Sequence, residues 1–181
     1  MPRALNSPAA VRADTRARIE AAVQETGYTP NFAGRALATN RTFTVGAVVP
    51  TRNNAIFATG LNAFEGALRE RGYTLLLSVS NYDAETEHIN ARRMMERGVD
   101  GLLLVGTEQK AETIATLAAA GRPFVCVWSY APHIELPMIG FDNAASMVPV
   151  VQHLVELGHR DIAMIGGISD GNDRARDRID G

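Results

Sequence analysis

The chain has 181 residues, 46% of them hydrophobic and 21% charged, which fits one large soluble domain or a small module joined to a medium one. A net charge of -2 excludes a basic field over the whole chain. The lone Cys126 excludes an intramolecular disulfide. No apolar run approaches the roughly 18 residues that cross a bilayer, and the N-terminus lacks a signal-peptide core, so a cytoplasmic location is expected.

Charge is unevenly spread. Between Met1 and Thr44 the cations Arg3, Arg12, Arg16, Arg18, Arg35 and Arg41 outnumber the anions Asp14, Glu20 and Glu25. A basic N-terminal module on an acidic body points weakly to nucleic acid. Within that module Thr15–Glu25 reads as an amphipathic helix, with Ile19, Ala22 and Val23 on one stripe, Asp14 as N-cap and Gly27 as stop. Pro30 breaks the chain, and Asn31 can cap a second short helix over residues 31–38. That helix is too short to stand alone in water and requires a partner. Residues 39–43 then form a linker.

From Thr44 onward strands and helices alternate. Strands are expected at 44–50, 73–80, 99–106, 123–128, 138–142 and 161–167. Helices are expected at 56–72, 86–98, 110–121, 144–157 and again within 168–181. Gly closes several helices, and the first strand is apolar without interruption, as a strand buried on both faces must be. This rhythm is that of βαβ units: an α/β fold with a doubly wound parallel sheet and helices on both faces.

No phosphate-binding glycine loop, nucleophile elbow or C-x-x-C pair occurs. His88, His133, His153 and His159 form no i, i+4 pair, so neither metal nor cofactor is expected. Acidic residues occur singly, so no catalytic group stands out and an enzyme is not expected. Cys126, inside PFVCVW, reads as a buried inert thiol. In a doubly wound sheet, ligands bind at the carboxyl ends of the strands. There Trp128 and Tyr130 could stack on a ligand, or Trp128 could pack on a helix. Phe57 could do either. Arg174, Arg176 and Arg178 could grip a carboxylate, phosphate or hydroxyl-rich ligand, or form a solvated face.

Several stretches, in order and along essentially the whole chain, resemble the lactose-repressor (LacI/GalR) family of bacterial regulators. MPRALN resembles the end of its recognition helix. TRARIEAAVQETGYTPN resembles its third headpiece helix and following turn. NFAGRALATNRTFTVGAVVP resembles its hinge helix and first core strand. GFDN, HLVELGHRDIAMIGG and RARDRIDG resemble its later signatures. The resemblance implies a transcription repressor that acts as a homodimer. A helix-turn-helix would read operator DNA, and a hinge helix would wedge a leucine into the minor groove. The DNA-contacting set so implied is Arg3, Asn6, Asn31, Ala33, Gly34, Arg35 and the wedge Leu37. A small-molecule effector, a sugar or sugar acid among the candidates, would lie between two lobes of a periplasmic-binding-protein-like core. Ile56, Phe57, Trp128, Tyr130, Asp142, Asn172, Arg176 and Arg178 would contact it. Trp128 stands where sugar-responsive members often carry a polar residue, which favours a planar effector or a sugar stacked face-on.

The implied domains are 1–30, a remnant of the helix-turn-helix headpiece; 31–43, the hinge helix and linker; 44–140, the first lobe; and 141–181, the start of the second. The chain reads as truncated at both ends, with Met1 where the family commonly has Val. An internal start codon is one expected cause, and weak operator binding by this chain alone is the expected result. A cut sheet would also expose apolar surface and unpaired edges. The rival reading is a sugar-binding protein of periplasmic type without DNA function. It would need a signal peptide where this chain has a basic helical prefix.

Overall fold

A computed structural model describes residues 11–28 and 32–181, without the side chains of Phe32, Ala33 and Arg35. Contacts divide the chain between Asn40 and Arg41. In the first unit, α1 spans Ala13–Thr26 and ends at Gly27, whose left-handed φ of 61° lets its N–H reach the carbonyl of Val23. The N-cap is Arg12, without a side-chain capping bond, and not Asp14 as the sequence suggested. Asp14 lies one residue inside α1, in the first turn, where the helix dipole favours an acid. The second helix, α2, spans Phe32–Thr39. The expected cap Asn31 lies outside the described residues.

The second unit is built on a five-stranded parallel sheet. Its strands are β1 (Thr44–Val49), β2 (Thr74–Val79), β3 (Gly101–Val105), β4 (Phe124–Val127) and β5 (Met138–Ile139), in spatial order β2-β1-β3-β4-β5. The crossovers carry α3 (Ala55–Glu70), α4 (Ala84–Glu96) and α5 (Ala111–Ala120). Beyond β5 come α6 (Asn143–Glu156) and α7 (Asp173–Asp180). Alternate strand residues serve opposite faces. Ala47, Val49, Leu103 and Val105 pack with Phe57 and Leu61 of α3, whereas Val48, Leu102, Leu104 and Cys126 pack with Ala91 and Met94 of α4 and Leu117 of α5. Helices therefore cover both faces, as the alternation predicted. α4 crosses β1 at Gly46, where a Cβ would lie 2.6 Å from both Leu102 Cδ1 and Met94 Sδ.

The chain enters β1 under tight control. The N–H groups of Thr42 and Phe43 donate to the two carboxylate oxygens of Asp100 at 3.0 and 2.9 Å, and Thr42 Oγ1 donates to the Gly98 carbonyl at 2.7 Å. The end of the linker is thus pinned at the amino edge of the sheet, beside the start of β3.

One expected strand is missing. Residues 161–167 form no ladder, and Ile165 is fully exposed. An apolar run becomes a strand only when a neighbour accepts its backbone bonds, and no strand lies beside this one among the described residues. The expected helix after it is confined to α7, because Asn172 caps it at Asp173. The thiol of Cys126 is buried, as expected.

Leu104 is completely buried between β3 and its helices, so Leu104→Ala should destabilise the chain by about 2–5 kcal/mol in urea titration. Ile165→Ala, at a fully exposed site, should change stability by less than about 0.5 kcal/mol.

Candidate ligand cleft at the carboxyl edge of the sheet

Parallel strands end side by side, and the helices that follow begin there. The N-termini of α3, α4 and α7 are each closed by a side chain. Asn54 Oδ1 accepts from the Ile56 N–H at 2.9 Å, Asp83 from the Thr86 N–H at 2.7 Å and Asn172 from the Ala175 N–H at 3.3 Å. Between these caps opens a cleft of about 690 Å³, walled by Asn54, Asn81, Tyr82 and Asp83 on one side and by Asp170 and Asn172 on the other. That volume suits a small-molecule ligand. Asn81 and Tyr82 take positive φ values of 54° and 64° to turn the chain out of β2. Gly171, at φ 61°, lies so close that a Cβ would sit 2.1 Å from the Tyr82 carbonyl oxygen. Only glycine fits this approach.

Beneath the cleft is a cavity of about 100 Å³, to which Ser80, Glu87, Glu108, Gln109, Asp173 and Arg174 contribute. Its floor is charged and buried. Asp173 is 4% exposed and accepts from the Thr107 N–H at 2.6 Å, from Thr107 Oγ1 at 2.9 Å and from its neighbour's N–H at 2.8 Å, besides its ion pair with Arg174. Gly106 makes room for this pair: a Cβ there would meet Arg174 Nη1 at 2.2 Å. Arg176 forms an ion pair with Glu108. Burial pushes the Glu87 carboxyl up to about 7, against a hydrogen bond from Gln109 and the nearby Arg174 charge, both of which lower it. Burial likewise raises the Cys126 thiol to about 12, which keeps it protonated and inert. Asp83 is held below the usual carboxylate range by its bonds from Thr86.

The residues that the sequence singled out fall into distinct places. Phe57 and Trp128 are brought together edge to face, with ring centroids 4.9 Å apart and an interplanar angle of 81°. Trp128 lies against α3 over Gly60, where a Cβ would be 2.6 Å from its ring, and its backbone is held at a φ of 64°. Its N–H donates to the Ile139 carbonyl at 3.0 Å, and its carbonyl accepts from Asn143 Nδ2 at 3.2 Å. With Phe64, Leu103 and Phe141 it lines an apolar groove of about 300 Å³. Ile56 and Tyr130 are exposed. Asp142 caps α6 by accepting from the Ala145 N–H at 2.9 Å. Asn172 and Arg176 meet at the start of α7, and Arg178 is half-buried one turn on, with no ion pair among the described residues. On α2, Gly34 is exposed and Leu37 is 88% exposed, while Ala33 and Arg35 share the helix. Arg3 and Asn6 lie outside the described residues, as Asn31 does.

The sequence reading missed Glu87, Asp173 and the cleft walls at Asn54, Tyr82 and Asp83. Glu87 carried a usable signal. With Ala91 and Met94 it falls on the i, i+4, i+7 stripe that α4 buries, so it belonged to the apolar face and not only to the acidic first turn.

A doubly wound sheet with a cleft at its carboxyl edge defines the class: an α/β ligand-binding domain of the periplasmic-binding-protein kind. Residues 42–181 match the family described as periplasmic binding proteins and sugar binding domain of LacI family, and residues 2–31 match bacterial regulatory proteins, lacI family. The chain belongs to the LacI family. It is 30% identical over 165 residues to the HTH-type transcriptional regulator GntR of Escherichia coli K12, covering 91% of this chain and 50% of that protein. It is 29% identical to the HTH-type transcriptional repressor CytR of the same strain, covering 91% and 48%. The crystal structure of a LacI-family regulator from Silicibacter pomeroyi superposes with a TM-score of 0.82 at 29% identity, over 94% of this chain and 51% of that one. The chain thus spans about half the length of the relatives it matches.

Because Trp128 is the only tryptophan, its packing can be read directly. Gly60→Ala should displace the indole, shift its emission to the red and cost about 1–3 kcal/mol. Gly66→Ala, on the same helix with nothing within 4 Å of the added Cβ, should leave the emission unchanged.

Proposed function

We propose that the protein acts as a transcriptional regulator, in the sense of a repressor. It would bind operator DNA through its N-terminal unit and respond to a small molecule held in the cleft. The observation that carries this reading is the conjunction of two matches in one chain: a lacI-type regulatory segment at 2–31 and a sugar-binding-type domain at 42–181. A sugar-binding protein of periplasmic type accounts for the second match but not the first. The named relatives are regulators, so a cytoplasmic homodimer without enzymatic activity is the consistent setting.

The short α2 fits the role of hinge. Eight residues form a marginal helix in isolation, and its Leu37 is 88% exposed. An apolar side chain wedged between base steps of the minor groove would be removed from water, and the bent duplex would wrap more protein surface. Ala33 and Gly34 are small enough for close approach. Asn31, Arg35, Arg3 and Asn6 are the proposed polar contacts to phosphate and base edges. Ile56, Tyr130 and Arg178, carried over from the family resemblance and outside the cleft walls named above, are the proposed further contacts with the effector, a sugar or sugar acid among the candidates. Phe57 and Trp128 would stiffen the neighbouring apolar groove. Asp142, Asn172 and Arg176 would act mainly by holding α6 and α7 in place.

The test is to tag the gene at its chromosomal locus, so that whatever length the cell makes is assayed, and to sequence the DNA that co-purifies. Enrichment at a palindromic sequence is expected, falling about tenfold or more in Leu37→Ala, since loss of a buried apolar wedge costs on the order of 1.5–3 kcal/mol. Uniform recovery of genomic DNA would overturn the reading. For the effector, a sugar at 100 times its dissociation constant should add about 2.7 kcal/mol to thermal stability.

A further inference from the structure

The buried charges beneath the cleft do more than hold a loop. Asp173 and Arg174 open α7, and both are about 95% buried against residues that follow β3. Asp173 is saturated by Thr107, by the N–H of Arg174 and by the Arg174 guanidinium. Arg176, one turn on, is paired with Glu108. These contacts tie α7 to the first βαβ units across the cavity. Glu87 of α4 lines the same cavity at 9% exposure. The polar groups around it are Asp173 and Arg174 from α7, Glu108 and Gln109 from the loop after β3, Ser80, Tyr82 and Asp83 from the segment after β2, and the Cys126 thiol from β4.

We propose that Glu87 is the proton-sensitive member of a latch that holds α7 over the carboxyl edge of the sheet, closed when Glu87 is neutral and loosened when it is ionised. Among the described residues one guanidinium lines this cavity, that of Arg174, and it is already committed to Asp173. A second carboxylate there is a buried charge without a dedicated counterion, and a buried charge is costly unless paired. As the neutral acid, Glu87 carries no charge for the cavity to pair, whereas Gln109 and the committed Arg174 offset its ionised form only in part. Undocking α7 removes one wall of the cavity and returns the carboxyl to water, which relieves the ionised form.

The direction of the pH effect follows. The docked carboxyl sits at about 7, above its ordinary 4.5. The docked state therefore holds the proton more tightly than the open one. Its advantage is complete below 4.5 and is lost as pH rises through 7. The gap between the two values sets an upper bound on the order of a hundredfold in the docking equilibrium. Effector access to the cleft would then depend on pH in the physiological range through a carboxylate, without a histidine. The latch requires neither DNA nor effector, so its fate is separate from that of the proposed function.

The test is hydrogen exchange of the whole chain, expressed as protection factors, at about pH 5.5, 7 and 8.5. Protection of the α7 amides and of the Thr107 N–H should fall roughly tenfold or more across that range, while the β3 amides stay constant. In Glu87→Gln the α7 protection should stay high at every pH. Protection of α7 that is flat with pH in the wild type, or a fall that persists in Glu87→Gln, would overturn the proposal. Should Glu87→Gln not fold, carbon NMR of the wild-type carboxyl decides instead. A midpoint near 7 that tracks the α7 amide shifts supports the latch, and one near 4.5 overturns it.

Discussion

Parallel strands can be joined only by a chain that crosses back over a face of the sheet, and the larger unit descends from that constraint. Each crossover from β1 to β4 supplies a helix, and the helices must bury apolar stripes on both faces. β3 is therefore buried along its whole length, and β1 wherever a helix crosses it. The same constraint brings every strand end to one edge and every following helix start beside it. Polar backbone groups concentrate there because helix N-termini leave N–H groups without intrahelical partners. Asn54, Asp83 and Asn172 answer three of those termini, and in doing so they become walls of the cleft.

The cleft floor shows how such an edge is closed. A buried carboxylate is tolerated only when donors saturate it. Asp173 meets that condition through Thr107 and Arg174, and Gly106 is the residue that leaves them room. Glu87 does not meet it to the same degree, and its carboxyl is raised accordingly. Within one cavity, the arginine is thus committed to Asp173 and not to Glu87. The second buried network has a different job. Asn143 holds the chain that leaves β5 against the carbonyl of Trp128, and the indole in turn fills the space that Gly60 leaves on α3. The aromatic pair is there chiefly a packing device that fixes the wall on that side.

The alternation of apolar runs with amphipathic stretches was enough to read the parallel sheet and every crossover helix, because period and Gly stops are local properties. The strand expected at 161–167 was not readable in that way. Its pattern is apolar, yet strand formation depends on a neighbour that composition cannot supply. The cap was placed two residues late, at Asp14 instead of Arg12, because acid in the first turn and acid at the cap produce the same sequence signal. For the cleft, the carboxyl-edge rule pointed to the ends of the strands but did not single out the side chains that wall it. Tryptophan and arginine draw notice by their chemistry, whereas Asn54, Tyr82 and Asp83 matter by where a turn places them. Asp142 and Asn172 were noticed as ligand contacts, and their visible work is helix capping.

Position also bears on how a ligand at one edge could be felt at the other end of the chain. The cleft lies where the strands end, while the linker is pinned where they begin, by Asp100 accepting from the N–H groups of Thr42 and Phe43. Asp100 immediately precedes β3, and β3 ends at the Gly106–Thr107 turn that receives Asp173. One five-residue strand, buried throughout, therefore separates the two anchor points. A packed strand cannot stretch or bend by degrees, so a change at its carboxyl end either moves it as a unit or does not pass. Coupling by this route needs two discrete arrangements with different ligand affinities, since a ligand shifts an equilibrium only by its differential binding to the two states. The docked and undocked states of α7 are such a pair. They differ at Thr107, at the end of the strand whose start holds the linker, and the strain of one state would be borne by the hydrogen bonds of Asp100.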